Sequence, residues 1–270
     1  MELIDEINTQ LPWFLPAFVF VLGACVGSFL NVCIYRIPAE RSVVTPGSTC
    51  ACGTPIAWHD NIPILSWLFL RGRARCCGRR FSVRYPAVEL LTALLFVASW
   101  LQYPPAKAAV GMVFISIMLC AAFIDLDHMI IPDRFAIGGA VVGVLLAGLV
   151  TSLHDQVVSE YWAVNAMRGM LEAVIGMFVG SALVLWIAEI AEVLMRKEAM
   201  GFGDVKFLGA IGAFCGWQGG IFAVFGGAVL GTVAFAGVLL VEKLFRRGAQ
   251  GAAEADDTIS FGESGLEVLD

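Results

Sequence analysis

Long apolar blocks constrain this 270-residue chain more than any other feature. Each block runs for roughly 18 to 25 residues, which is the length that a helix needs to cross about 30 Å of hydrocarbon. Hydrophobic residues make up 59% of the sequence and charged residues only 15%, whereas a soluble domain is about half apolar and about a quarter charged. The sequence therefore predicts an all-α fold, a polytopic transmembrane helical bundle. It excludes a disordered or disulfide-framed protein, and nothing in it supports nucleic-acid binding.

Seven spans are predicted along the chain. They are Leu15–Ile34, Ala87–Tyr103, Ala108–Phe123, Phe135–Val150, Gly169–Leu194, Val205–Gly216 and Gly219–Leu240. Counts of six or eight stay open, because the sixth span is short and the seventh follows it almost without a break. The first span resembles a signal peptide in length, but Glu2, Asp5 and Glu6 stand where a basic n-region is expected. We interpret it as a retained helix.

The distribution of Lys and Arg predicts the topology, since these residues concentrate in cytoplasmic loops. The largest non-apolar stretch, residues 35–86, is rich in arginine and is therefore placed in the cytoplasm. With seven spans the N-terminus lies outside and the C-terminus inside, and only Lys107 and Arg168 of the 17 basic residues fall on the far side. The predicted organisation is a first transmembrane helix (1–34), a basic cytoplasmic domain (35–86), a transmembrane core (87–245) and a disordered cytoplasmic tail (246–270).

Four cysteines lie in the predicted cytoplasmic domain, as the pairs Cys50/Cys52 and Cys76/Cys77. Two cysteine pairs in a reducing cytoplasm are typical of a structural tetrathiolate zinc site rather than of disulfides. Incidental thiols in a small basic domain are the alternative, because a ribbon-type site has C-x-x-C twice and this chain has C-x-C and an adjacent pair. The remaining cysteines lie in apolar helices and are interpreted as small buried hydrophobes: Cys25, Cys33, Cys120 and Cys215.

Carboxylates beside apolar segments form the second candidate site. Asp125 follows a wholly apolar run, and Asp204 closes the stretch Gly201-Phe202-Gly203-Asp204 just before a predicted helix. Both fall at the cytoplasmic edge of the membrane, where a charged group is costly and marks a function or a paired partner. Two converging carboxylates share a proton, so that one can serve as general base and the other as general acid on a water that attacks an amide.

Two alternatives to catalysis stay open at this point. The acids could be merely interfacial, or they could be salt-bridged to Lys206 or Arg134. The G-x-G-D stretch is short, and it is not a dinucleotide fingerprint because no strand precedes it.

Six elements in a fixed order carry a family resemblance over nearly the whole chain up to about Arg247. They are GSFLNV (27–32) with YRIP (35–38), NIPILSW (61–67), LRG (70–72), RYP (84–86) leading to ELLT (89–92), IDLD (124–127) through IPD (131–133), and GFGDVK (201–206). In these elements the chain resembles the bacterial type IV prepilin peptidases, which are G-x-G-D membrane aspartyl proteases of pilus and type II secretion systems.

The resemblance implies a function and a site. Family members cleave the short basic leader of prepilins and pseudopilins at the cytoplasmic membrane face, and Asp125 and Asp204 stand at their two catalytic positions. Many members also N-methylate the new terminus with S-adenosylmethionine, and a long region between the first two helices is typical of those. Residues 87–245 would then be the protease core, in the inner membrane. The chain itself has no recognisable methyl-donor fold.

The cysteine pattern departs from that of the family, which usually has C-x-x-C twice. Thr49 and Ala74 stand at the expected first and third cysteine positions, with Cys50 and Cys76 offset from them. This departure bears on the metal site rather than on the protease.

Several other residues are kept as supporting candidates. Gly201, Gly203 and Lys206 accompany Asp204 in its motif, and the glycines allow close backbone approach. Asp127 lies about 200° round a helix from Asp125, so it either supports the site or faces away. Glu89 matches a family motif and is either functional or a snorkelling or paired acid.

Glycine pairs predict close helix packing within the chain: Gly176/Gly180, Gly212/Gly216 and Gly227/Gly231. The same faces leave a homo-oligomer open. Two rival functions stay open, a non-enzymatic transporter or assembly scaffold that uses the aspartates for a cation path, and a zinc-sensing membrane adaptor. Midplane charges on broken helices and an inverted repeat would favour the first, but no repeat is visible in the sequence and the acids lie at one edge. The second needs the aspartates to tolerate substitution.

Overall fold

The chain folds into helices joined by short connections, apart from one longer region between the first helix and the third. A computed structural model describes residues 9–155, 157–197 and 200–263, with side chains described as far as Lys243. Its helices are α1 (Phe14–Arg36), α2 (Leu65–Phe69), α3 (Arg84–Gln102), α4 (Pro105–His128), α5 (Asp133–Leu149), α6 (Trp162–Met195) and α7 (Phe202–Glu263). The predicted all-α fold is confirmed.

Within the described part of the chain, five helices are long and apolar enough to cross a membrane: α1, α3, α4, α6 and α7 as far as Lys243. The chain is therefore a multi-pass membrane protein, as its apolar blocks predict. Three of the seven predicted spans look different in the structure. The fourth forms α5, which has only 17 residues, and the sixth and seventh lie within α7, which is interrupted at Gly216.

The interruption at Gly216 has a local backbone cause. Its φ of 69° and ψ of 178° lie outside the helical region, in a conformation that only glycine adopts at low cost. The residue therefore separates a first segment of α7, residues 202–215, from the rest of the helix. Sequence periodicity shows two apolar segments here, but it does not show that they share one helix assignment.

Helices α1 and α3 pack with their backbones close together. A Cβ placed on Gly23 would lie 2.7 Å from the Ala93 Cα, and one on Gly27 would lie 2.7 Å from the Glu89 Cα. Only glycine allows so close an approach. Helix α4 packs against both helices, and the three share a cluster of buried side chains: Leu30, Cys33, Ile34, Val88, Cys120 and Ile124.

Helix α6 packs antiparallel to the first segment of α7 through glycines. Gly176 meets the Gly212 backbone, and Gly180 lies against Leu208, where a Cβ would be 2.5 Å from the carbonyl oxygen. The packing predicted for these positions is thereby confirmed. Around Gly227 and Gly231, in contrast, a Cβ would meet nothing within 4 Å among the described residues.

The chain divides into two compact units, residues 1–221 and 222–270. The second unit differs from expectation in one respect, since α7 continues to Glu263 although the sequence predicts a disordered tail from residue 246. The segment after Arg247 contains several alanines and no proline, which favours helix. Residues 264–270 of that predicted tail lie outside the described residues.

Candidate active site

Asp125 lies in the last turn of α4. The helix ends where Met129 takes a left-handed conformation, with φ 54° and ψ 37°, and the Met129 N–H donates to the Asp125 carbonyl at 2.8 Å. The side chain of Asp125 is half-buried. Because its backbone is part of the helix cap, the position of Asp125 is tied to the point at which α4 ends.

Asp204 lies in the first turn of α7. Its N–H donates to the Gly201 carbonyl at 3.1 Å, and its carboxylate accepts from the Gly201 backbone N–H. Gly203 passes close to the loop after α4, where a Cβ on it would lie 3.7 Å from the Ile131 Cβ. The glycines therefore bring the start of α7 against the segment that follows Asp125.

The two predicted aspartates converge in space although they are 79 positions apart in sequence. Asp204 is half-buried, and its carboxylate is close enough to that of Asp125 for the two charges to repel each other. Repulsion between two half-buried carboxylates favours a state in which one of them keeps its proton. Such a pair can take a proton from water and give one to a leaving group, which is acid–base chemistry without a covalent intermediate.

Asp127, two residues beyond Asp125, forms an ion pair with Arg84. Its Oδ1 accepts from the Arg84 Nη1 at 2.6 Å, and the Arg84 Nη2 donates to the Phe123 carbonyl at 3.2 Å. The guanidinium also lies 5.0 Å from the centroid of the Phe123 ring. Arg84 is the first residue of α3, so this arginine ties the start of α3 to the last turn of α4.

Asp133, at the start of α5, likewise forms an ion pair, with Lys206. The Lys206 Nζ donates to its Oδ1 at 2.7 Å, and the same nitrogen lies 5.4 Å from the centroid of the Phe202 ring. Among the described ion pairs, Lys206 is therefore the partner of Asp133 rather than of Asp125 or Asp204. Each of the two converging aspartates is thus followed, two residues later, by a member of an interhelical ion pair.

Glu89 is a buried acid with two hydrogen-bond partners. It is 8% exposed, its Oε2 accepts from the Ile64 N–H at 2.7 Å, and its carboxylate accepts from the Ser28 hydroxyl. Ile64 has φ 62° and ψ −53°, and the following N–H, that of Leu65, turns back to the Pro63 carbonyl at 2.5 Å. This is a strained γ-turn at a β-branched residue. Glu89 therefore holds a strained loop against the membrane helices.

The four thiols of the region between α1 and α3 come together despite their irregular spacing. All four sulfur atoms lie within 4.8 Å of one another, with Cys50 3.5 Å from Cys77 and Cys52 3.4 Å from Cys76. In a tetrahedral zinc site with Zn–S bonds of about 2.3 Å, the sulfurs are about 3.8 Å apart. The cluster therefore has the size that a single metal ion requires.

Two turns explain how C-x-C and an adjacent pair can form one cluster. Gly53 and Gly78 have φ of 86° and 68°, and the Gly53 N–H donates to the Cys50 carbonyl at 2.8 Å. The Gly78 N–H likewise donates to the Ala74 carbonyl at 2.8 Å. Each turn brings two cysteine side chains to the cluster. The adjacent residues Cys76 and Cys77 can both reach it because the chain reverses direction there, whereas in an extended segment their side chains would point to opposite sides.

The thiols have unequal proton affinities. Hydrogen bonds from the Thr54 side chain and backbone lower the pKa of Cys52 to about 6, whereas the hydrogen bond to Cys52 raises the pKa of Cys76 to about 12. Because the thiolate is the form that binds a metal, the lowered pKa of Cys52 favours metal binding at the cluster.

The apolar-helix cysteines match their interpretation only in part. Cys33 and Cys120 are buried, while Cys25 and Cys215 are exposed on their helix surfaces. Cys25 and Cys215 face outward from helices that the apolar blocks place in a membrane. These two thiols are therefore not buried inside the protein as the sequence analysis expected.

Two family models cover most of the chain. Residues 21–103 match the bacterial peptidase A24 N-terminal domain, and residues 112–241 match the type IV leader peptidase family. This chain belongs to the type IV leader peptidase family. The first match ends just after α3 and the second begins within α4, so Asp125 and Asp204 lie in the peptidase match and the four-cysteine cluster lies in the N-terminal one.

Curated relatives give the same assignment within the type IV leader peptidase family. A Klebsiella pneumoniae protein is 40% identical over 227 residues, covering 81% of this chain and 92% of that protein. An Aeromonas hydrophila protein is 38% identical over 248 residues, covering 81% and 79%. A Myxococcus xanthus protein is 40% identical over 221 residues, and the match spans 81% of this chain but only 59% of that relative. All three are named prepilin leader peptidase/N-methyltransferase. No solved structure matches the chain significantly.

Proposed function

We propose that this chain is a prepilin peptidase of the bacterial inner membrane, which removes the basic leader from type IV prepilins and type II secretion pseudopilins at the cytoplasmic face. The convergence of Asp125 and Asp204 at neighbouring helix ends carries the proposal. Membership of the type IV leader peptidase family and the names of its relatives support it. The direct test is to mix the purified protein with a prepilin and to follow leader removal by mass spectrometry.

The mechanism uses the aspartate pair alone. One carboxylate takes a proton from a water whose oxygen forms a bond to the carbonyl carbon of the scissile peptide. The other carboxyl gives its proton to the nitrogen as the carbon–nitrogen bond breaks. The pair ends with one proton between its members, as it began, so that the two aspartates can exchange roles in the next turnover.

The substrate fits the position of the pair. A prepilin has an apolar stem that can lie in the bilayer and a basic leader that stays in the cytoplasm. The bond between them then falls near the membrane surface, at the level where α4 ends and α7 begins. The topology predicted from Lys and Arg, in which α5 also crosses the membrane, supports this placement of the site at the cytoplasmic face.

The four-cysteine cluster fits a structural zinc ion. Cys50, Cys52, Cys76 and Cys77 would hold it, and the metal would join the two turns of a domain that has few buried side chains of its own. The ion supplies no chemistry to peptide cleavage in this scheme.

Zinc content gives a prediction for this cluster. We expect about one zinc ion per chain in the purified protein and a loss of most of it in Cys50→Ala, because a tetrathiolate site needs all four ligands. Inductively coupled plasma mass spectrometry on protein in detergent measures the ratio. Cys25→Ala is the matched control, since Cys25 is an exposed thiol on α1 outside the cluster. Equal zinc in both variants would contradict the assignment.

N-methylation of the new terminus, with S-adenosylmethionine as donor, is the second activity that we propose. It rests on the names of the relatives. The described residues offer no fold that we recognise as a methyl-donor site, so no residue is assigned to the donor and no step is derived through it.

The ion pair between Arg84 and Asp127 gives a prediction about positioning. Arg84→Glu and Asp127→Arg should each lower the cleavage rate by about tenfold, because each removes a charged hydrogen bond that holds the last turn of α4. The double variant Arg84→Glu/Asp127→Arg should recover most of the loss, since it restores an ion pair with reversed charges. Single-turnover cleavage measures the rate constants.

A double-mutant cycle decides whether the pair acts as a unit. Strictly additive losses in the two single variants and the double variant would contradict a positioning role for the pair. The control is Arg75→Gln, which removes an arginine that pairs instead with Asp60 at 2.8 Å, within the cytoplasmic region. We expect this control to cleave at the rate of the unmodified protein.

A further inference from the structure

An apolar surface in the cytoplasmic region has no partner within the described chain. We call it the interfacial patch, and its side chains are all well exposed: Trp58, Ile62, Leu65, Leu68 and Phe69. Trp58 is 81% exposed and Phe69 83% exposed. An apolar surface of this kind on a protein domain marks an interaction site.

One face of helix α2 forms part of the interfacial patch, and the opposite face packs within its own domain. Leu65, Leu68 and Phe69 stand at positions i, i+3 and i+4, which fall on one side of a helix. Trp67 points the other way, where its ring packs on Gly72 and its Nε1 donates to the Phe81 carbonyl at 3.4 Å. The apolar outward face of α2 is therefore not explained by poor packing of the helix, because the opposite face is packed.

The depth of α2 is set by a hydrogen bond to a membrane helix. The Ile64 N–H, at the start of α2, donates to Glu89, which lies five residues after Arg84, the first residue of α3. At 1.5 Å per residue this is about 7 Å along the axis of a membrane-length helix. Even with the Glu89 side chain extended toward the start of α3, α2 lies at the level of the first turns of that helix.

The charges around the patch indicate what it contacts. Arginines at exposed positions follow α2 directly, and the described residues provide no acidic partner for them: Arg71, Arg73, Arg79 and Arg80. Arg75 differs, because its charge is paired with Asp60. A basic leader would be repelled by this group of arginines, whereas anionic lipid headgroups would be attracted.

We propose that the interfacial patch is a membrane-docking surface, with its apolar side chains inserted at the boundary between headgroups and acyl chains and its arginines on anionic phospholipids. Exposed Trp and Phe next to Arg at this depth are the composition of a membrane interface. The patch also adjoins the start of α3, where Tyr85 is 45% exposed on the surface of a membrane-length helix. The cysteine cluster is thereby held flat against the bilayer rather than projecting into the cytoplasm. This inference does not depend on the proposed peptidase activity.

Tryptophan quenching in vesicles tests the proposal without any substrate. The full chain and Trp58→Phe are reconstituted in vesicles of phosphatidylcholine and phosphatidylglycerol, with the acyl chains brominated near the headgroup. The difference between the two emission signals isolates Trp58. We expect this signal to be quenched several-fold more strongly by brominated lipid than by aqueous iodide, and to be quenched less when phosphatidylglycerol is replaced by phosphatidylcholine.

A second variant and two contrary outcomes complete the test. Phe69→Trp adds a reporter on α2 itself, and its added emission should respond as that of Trp58 does. Strong iodide quenching with weak bromine quenching at both positions would overturn the proposal. Protection from iodide that occurs only after a prepilin is added would also overturn it, and would assign the patch to substrate binding. Because no cleavage is measured, failure here is distinct from failure of the proposed function.

Discussion

Replacing Asp125 or Asp204 by Asn is expected to lower the rate of prepilin cleavage by about 10³-fold. Each change keeps the size of the side chain but removes the group that takes or gives a proton, and positioned acid–base groups contribute 10²–10⁴-fold to rates of this kind (an order-of-magnitude range). The double variant should be little slower than either single variant. In the proposed mechanism the two carboxylates act as one unit, so the effects of removing them do not add.

The measurement is single-turnover cleavage of a purified prepilin, with leader removal followed by mass spectrometry. Glu189→Gln is the matched control, since it makes the same chemical change at an exposed carboxylate on α6. The secondary structure and the elution volume of each variant must match those of the unmodified chain. Cleavage at the normal rate by folded Asp125→Asn or Asp204→Asn would overturn the proposed pair.

That outcome would not transfer the role simply to a neighbouring acid. Asp127 accepts from Arg84 and Asp133 accepts from Lys206, so both already have cationic partners. The transporter or scaffold alternative would gain if folded protein cleaved none of several prepilins. An inverted repeat would favour that alternative, and the sequence of this chain shows none.

The second large effect concerns the contact between α6 and α7. Gly212→Ala should destabilise the protein by about 3 kcal/mol, at the upper end of the cost of overpacking. A Cβ on Gly212 would lie 2.5 Å from the Gly176 carbonyl carbon and closer still to its oxygen, so the two backbones would have to separate. Because the same helix segment carries Asp204, cleavage should fall together with stability.

Gly138→Ala is the matched control, because the same substitution should not lower the stability of the protein at this position. Gly138 is a helical glycine in α5, and a Cβ on it would meet none of the described residues within 4 Å. Alanine should therefore leave stability unchanged or raise it by up to about 1 kcal/mol through its helix propensity. Thermal unfolding in detergent compares the two variants. An equal Tm for Gly212→Ala and Gly138→Ala would contradict the close packing described for α6 and α7.

Features encoded by local pattern could be predicted from the sequence. Apolar blocks predict the membrane helices, and Gly201-Phe202-Gly203-Asp204 together with the Asp125 motif predicts two converging carboxylates. The topology that brings them to one edge follows from the positions of Lys and Arg alone. The sequence also predicts the cysteine cluster, although its irregular spacing keeps the alternative of incidental thiols open.

Contacts between distant residues that no motif marks could not be predicted in this way. Arg84 and Asp127 are 43 positions apart, and nothing in either neighbourhood marks them as partners. The sequence does not decide between a functional and a paired acid at Glu89, because its partner is a backbone N–H made available by the strained turn at Ile64. Helix lengths could not be predicted from the sequence either. An apolar run shows that a helix forms, but the loop that follows determines where the helix ends.

The short helices beside the aspartates have a consequence for the lipid. Helix α5 is 17 residues long and is therefore about 26 Å from end to end. The first segment of α7 stops at Gly216, and both are shorter than the roughly 30 Å of an average hydrocarbon layer. A hydrophobic mismatch of this sign is relieved by compression of the surrounding lipid. The bilayer should therefore be locally thin beside Asp125 and Asp204, so that water and the junction between leader and stem reach the carboxylates without the substrate being drawn out of the membrane.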